Sequence, residues 1–272
     1  MASGFRALLC LALLLAPAAG LAQASEPSAE EIVQRSLANT RADWEAQPRY
    51  SHMERDEDIK GSTHTVYTYR ISMIDDSPYQ RLTAVNDEPL SAQQAAKEES
   101  KLRQETARRA KESAPERARR RAQYHKSRQR LFNLMNEMVN AFDFKLQGQE
   151  LVDGREAWIL NATPRPGYQP TSRETKILTG MKGRLWIDCQ DFQWVKAEAD
   201  VIKPVWFGWF IAKVVPGTHF LLEQAPVTED LWLPERFHVD VHASLLWMER
   251  NFIHDETFRD YRLDSSSAAA SE

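Results

Sequence analysis

From residue 142 onward, apolar and polar residues alternate with period two, the pattern of strands whose side chains point to opposite faces of a sheet. The pattern is sharpest over residues 183–201, Gly-Arg-Leu-Trp-Ile-Asp-Cys-Gln-Asp-Phe-Gln-Trp-Val-Lys-Ala-Glu-Ala-Asp-Val, which reads as strand, tight turn, strand. Trp186 and Trp194 fall on its two arms. Strands are also predicted over 144–152 and 155–162, around an Asp153-Gly154 hairpin signal, and over 206–214, 218–225, 231–243 and 245–261. Residues 164–170, bounded by prolines, read as a rigid loop. Residues 50–86 predict two or three more strands, with Val66, Tyr67, Tyr69 and Ile71 as the β-rich centre.

Helical spacing appears in two places. Over 28–47, Ser28 and Glu31 have capping-box spacing, and Ile32, Val33, Leu37 and Trp44 lie broadly along one side. Over 91–130 the only large apolar residues are Leu102 and Tyr124. Ser91 with Gln94 and Ser113 with Glu116 mark two helix starts, with Pro115 in the first turn of the second, so two helices broken near Ala114 are predicted. Glu99 and Arg103, Glu105 and Arg109, and Glu116 and Arg120 are favourable i,i+4 pairs. Past Tyr124 an apolar stripe runs through Leu131, Leu134, Met135, Met138 and Phe142, so the second helix starts in solvent and ends docked on the sheet.

The fold class expected is mainly β with helices (α+β): a large curved antiparallel sheet with a protruding helical hairpin. Residues 25–263 make one domain, with the helical insert at 91–140. Arg6, the apolar run 7–16 and Ala22-Gln23-Ala24 before Ser25 have the form of a cleaved secretory signal over 1–24. That apolar run is about half the ~20 residues a membrane span needs. Cys10 sits inside it without the context for lipidation. Cys189 is the only other cysteine, so no disulfide forms within the mature chain, and plain packing is its expected role. Residues 264–272 are small and polar and are expected to be disordered.

Residues 183–188, Gly-Arg-Leu-Trp-Ile-Asp, followed by 192–198, resemble the Gly-x-Leu-Trp-Ile-Asp, turn, Val-Lys-x-Glu hairpin of the lipoprotein-carrier half-barrel superfamily of LolA and LolB type. Leu233-Pro234-Glu235-Arg236 resembles that family's later Leu-Pro strand phrase. The basic insert departs from the compact carriers and marks a divergent branch. The resemblance implies that the curved antiparallel sheet is a half-barrel covered by a helical lid, in a periplasmic, non-enzymatic protein that binds a lipid, a lipoprotein acyl chain or an apolar segment in the concave face. An envelope-stress sensor or protein-interaction scaffold using the basic hairpin is the alternative. No cofactor is expected.

On that resemblance, Trp44, Trp158, Trp186, Trp194, Leu131, Met135 and Met138 would line a cavity between lid and sheet. A filled core is the other reading, since any helix must bury such a stripe. The run 205–211, Val-Trp-Phe-Gly-Trp-Phe-Ile, is read first as a central strand buried on both faces. Alternatively, Trp206, Phe207, Trp209 and Phe210 form a tip that contacts a membrane or partner.

Charge changes the picture in one respect. The chain carries a net −4, yet residues 91–130 hold 13 Lys and Arg against 5 acidic residues, or +8. Arg117, Arg119, Arg120 and Arg121 are therefore candidates for contact with an anionic membrane surface or an envelope protein, or members of a solvated hairpin held by its own ion pairs. Nucleic acid is excluded as a partner by export and by the lack of stacking aromatics among the basic residues. His238, Asp240 and His242 share a strand face, but the two histidines stand about 13 Å apart, so no metal site is expected. Nucleophile elbows, phosphate loops and zinc spacings are missing from the sequence. An enzyme of scattered residues would start from His238 and Asp240.

Overall fold

The computed structural model describes residues 26–207, 212–246 and 248–264. Ser28 starts α1 (Ala29–Ala46) by accepting the Glu31 N–H on its hydroxyl at 3.2 Å, which satisfies one of the orphan donors of a helix N-terminus. The stripe that α1 buries is Ile32, Val33, Ser36, Thr40 and Asp43. A 3-10 turn at Gln47–Arg49 then leads into three long strands: β1 (Tyr50–Lys60), β2 (Thr63–Ile74) and β3 (Ser77–Val85), with the two-residue β4 (Glu88–Pro89) paired on the last. Asp75-Asp76 and Asn86-Asp87 make the two-residue turns, all four at φ between 48° and 63°. Short polar side chains tolerate that left-handed backbone, and the turn it forms matches the twist of a hairpin.

The insert is a helical pair, α2 (Ala92–Ala110) and α3 (Ala114–Ala141), each opened by a capping box. The break lies at 111–113, one residue before the expected Ala114. Two of the three expected i,i+4 pairs form, Glu99 with Arg103 at 3.9 Å and Glu105 with Arg109 at 2.6 Å. Glu116 and Arg120 do not pair. Glu116 accepts the Ser113 N–H and hydroxyl at 2.9 and 2.7 Å, while Arg120 turns to Glu112 and Asp75.

The second half supplies β5 (Phe142–Val152), β6 (Arg155–Pro164), β7 (Met181–Asp188), β8 (Trp194–Val201), β9 (Val205–Phe207), β10 (Ala212–Val214), β11 (His219–Thr228), β12 (Leu231–Val241), β13 (Ala243–Leu245), β14 (Met248–Glu249) and β15 (Phe252–Leu263). Asp153 and Gly154, at φ 50° and 82°, make the expected hairpin turn between β5 and β6. A 3-10 turn at Thr175–Gly180 precedes β7. Eleven strands form one open antiparallel sheet in the order β4-β3-β2-β1-β15-β12-β11-β8-β7-β6-β5. Strands β1 and β15, far apart in sequence, meet in its middle. This is the α+β architecture the periodicity predicts, with one open sheet, as in the half-barrel that the resemblance implies.

Strands β9, β10, β13 and β14 form a separate four-stranded sheet. The central strand expected over 206–214 is thus two short strands outside the main sheet, and Trp206 is 37% exposed rather than buried on both faces. Instead of joining the main sheet, β9 pairs back on β10, which in turn pairs with β13.

Candidate functional site

The hairpin of β7 and β8 is organised around Asp188, which is 1% exposed. Its Oδ1 accepts the N–H groups of Gln190 and Asp191, both at 2.8 Å, and its Oδ2 accepts Arg155 Nε at 2.6 Å. Burial works to raise the carboxyl pKa, but Arg155 and the two N–H groups overrule it and hold it below the usual range. The glycine that opens the motif has its own cause. A Cβ on Gly183 would stand 2.8 Å from the Glu198 carbonyl oxygen on the neighbouring strand.

The structure does not bring the three expected tryptophans together. Leu185, Ile187 and Trp194 face the helices, where they pack with Trp158, Leu160, Phe192, Ile32 and Val33. Trp186 points the other way, into a cluster with Ala157, Val195 and Trp232, and donates to Glu150. A bulge between Trp186 and Ile187 shifts the register here. Trp158 and Trp194 are 5% and 3% exposed, and Trp194 Nε1 donates to Ser36 Oγ. Beneath α1 the helix-facing side of the sheet is therefore packed with side chains.

Trp44 is half-buried at the edge of that packing, stacked on Phe132 at 6.3 Å under the Arg128 guanidinium. Met135 and Met138 are half-buried, and Met138 touches both helix-side clusters. Leu131 is 51% exposed, so it leaves the expected stripe, and its neighbour Phe132 is buried instead. The inward face of α3 runs through Tyr124, Arg128 and Phe132, at i, i+4 and i+8. That spacing was readable in the sequence once Arg128 is counted as an aromatic-stacking residue.

The small sheet carries a different surface. Register places Phe207, Ala212, Leu245 and Met248 in one cross-strand row, with Val205, Val214 and Ala243 on the same face. Exposure along this apolar face rises outward, from 3% at Val205 to 40% at Leu245 and 41% at Met248. At its inner end Val214 packs against the second helix-side cluster of Ala141, Phe142, Leu178, Met181 and Val201. The apolar face is thus continuous with the interior of the half-barrel. The opposite face carries Trp206, Lys213, Ser244 and Glu249, with the Lys213 ammonium 5.1 Å from the Trp206 ring. Trp209 and Phe210 lie outside the described residues.

Of the four candidate arginines, three are held within the molecule. Arg117, Arg120 and Arg121 reach Asp75 at 3.2, 2.6 and 2.5 Å, and Arg121 also reaches Asp76 at 2.9 Å. Against the effect of burial, Arg121 and Arg120 keep the Asp75 carboxyl below its ordinary range. The buried Arg109 adds hydrogen bonds to Ser77 and to the Ile74 carbonyl. The insert is thereby clamped to the turn between β2 and β3. Arg119 points to solvent.

Two polar groups were not singled out from the sequence. Asp56 has its pKa raised to about 7 by burial and by the Glu54 and Glu256 carboxylates, and its Oδ1 is buried without a hydrogen-bond partner. Glu54, Asp56 and Asp58 alternate on β1, a period-2 run of acids visible in the sequence. Asp43, 5% exposed in α1, is raised to about 6 by burial, against hydrogen bonds from the Trp232 N–H and Gln193. His238 pairs with Asp255 at 2.7 Å and His242 with Asp240 at 3.4 Å. Among the described residues, no group of three His, Cys, Asp or Glu could hold a metal ion.

No protein-family model and no curated protein matches the chain. Several solved structures are similar to it. One is a LolA superfamily protein from Nitrosomonas europaea, at 11% identity over 88% of this chain and 94% of that one, with a TM-score of 0.34. Another is an outer membrane lipoprotein-sorting protein domain from Vibrio parahaemolyticus, at 9% over 86% and 94%, also 0.34. A third is MucB in its complex with MucA from Pseudomonas aeruginosa, at 9% over 85% and 99%, with a TM-score of 0.22. These include the superfamily that the Leu-Trp-Ile-Asp phrase resembles. At such scores the fold is defined by the strand order of this chain rather than by superposition.

Proposed function

We propose that this chain is an exported, periplasmic, non-enzymatic protein of the Gram-negative envelope that handles a lipid or a lipidated protein. It holds an acyl chain or an apolar segment at the mouth of the half-barrel. The observation that supports this is the apolar row from Val205 and Val214 out to Leu245 and Met248, which leads from the packed interior to solvent. Exposed apolar surface of this kind marks contact with an apolar partner. Covering it releases water, at about 25 cal/mol per Å². The seat proposed is this row, not the space between α1 and the sheet, which Trp158, Trp194, Ile32 and Val33 fill. Binding of a zwitterionic lipid with a fluorescent acyl chain, compared between the natural chain and a Leu245→Asp/Met248→Asp variant, tests the reading.

A further inference from the structure

The clamp at Asp75 decides which basic residues of the insert face outward. Arg117, Arg121, Tyr124, Arg128 and Phe132 occupy one side of α3, fixed to the turn between β2 and β3 and to α1. At 100° per residue the opposite side holds Arg119, Gln123, Lys126, Arg130 and Asn133, all exposed. Arg119, Lys126 and Arg130 fall within a narrow arc and span about 17 Å along the axis.

This stripe differs from α2 in kind. There Lys101, Arg103 and Arg108 are neutralised by Glu98, Glu99 and Glu105. The carboxylates that act on the α3 stripe stand at its ends, Glu116 on Arg119 and Glu174 on Arg130. Glu116 is bound to the Ser113 cap, and Glu137 accepts hydrogen bonds from Thr171 and Asn140.

We infer that the outward face of α3 is a docking surface for an anionic lipid bilayer, read by Arg119, Lys126 and Arg130. Charge complementarity selects an anionic partner. A straight row of three cations on a rigid helix suits an extended surface of negative headgroups. Residues 91–130 carry +8 in a chain of net −4. An anionic surface therefore repels the rest of the molecule and turns this face toward itself.

The experiment is cosedimentation of the mature chain with vesicles of phosphatidylglycerol and phosphatidylcholine, and with phosphatidylcholine alone. The expected result is binding to the anionic vesicles that weakens with salt, and at least about tenfold weaker binding for an Arg119→Glu/Lys126→Glu/Arg130→Glu variant that melts like the natural chain. Arg103→Glu, on the neutralised helix, changes binding less than about twofold. Equal binding by the triple variant, or no preference of the natural chain for anionic vesicles, overturns the inference, as does capture of the stripe by an acidic protein alone. Because the apolar row is unchanged in the triple variant, its uptake of a zwitterionic acyl probe stays intact, so the two readings fail separately.

Discussion

Trp194 Nε1 donates a hydrogen bond to Ser36 Oγ at 3.0 Å, joining the β7–β8 hairpin to α1. Ser36 is fully buried and its hydroxyl donates to the Val33 carbonyl at 3.0 Å. Ser36→Ala removes the acceptor without adding volume and leaves a buried indole N–H unpaired, a cost of about 1–3 kcal/mol. Denaturant unfolding followed by tryptophan emission should show that loss; an unchanged midpoint would mean the indole finds another partner.

Asp75 is the common acceptor for three arginines of α3. Asp75→Ala leaves Arg117 and Arg121 without it, while Arg120 keeps Glu112. The expected effect is local. Amide exchange should quicken in α2 and the first half of α3, with a loss of about 1–3 kcal/mol there, and the main sheet should stay protected. Uniform protection in the variant would show that the clamp holds nothing.

Stability should fall as the solution moves from about pH 6 to about pH 8. Asp56, raised to about 7, binds its proton more tightly folded than unfolded, so its ionisation works against the fold as pH rises to 7. Burial works to lower the His254 pKa, but Glu256 and Asp58 overrule it and raise it. Its contribution is complete below the unfolded imidazole value and is lost on the way up. Both groups act in the same direction. Asp56→Asn should therefore raise Tm at about pH 8 and leave it unchanged at about pH 5. A Tm that is flat across this range in the natural chain would contradict the assignment.

Asp43 offers a separate check, since only 5% of it is exposed and its carboxyl is raised to about 6. Asp43→Asn keeps an acceptor for the Trp232 N–H and removes the buried charge. It should stabilise the chain by about 1–3 kcal/mol above pH 6 and have no effect well below that. Destabilisation at both pH values would mean the carboxylate is required as such.

The sheet was legible because period-2 alternation, the Asp153-Gly154 turn and the capping boxes at Ser91 and Ser113 are local signals, each enforced within a few residues. Partner choice was not local. Arg120 chose Asp75 over Glu116 because a hairpin turn distant in sequence lies beside it. Trp186 and Trp194 take opposite faces because the bulge after Trp186 breaks the alternation that would have aligned them. The run at 205–211 was apolar enough for a central strand, yet it belongs to a small sheet whose apolar row depends on pairing with residues 243–249. No single stretch of sequence contains that row.

The claim that the apolar row holds cargo is tested most directly by titrating a zwitterionic lysophospholipid with a fluorescent acyl chain into the chain from residue 25 onward. Saturable binding is expected, weakened at least about tenfold in Leu245→Asp/Met248→Asp, since each Asp sets a charge against the apolar chain. Absence of uptake by the natural chain, or equal uptake by the double variant, would contradict the account.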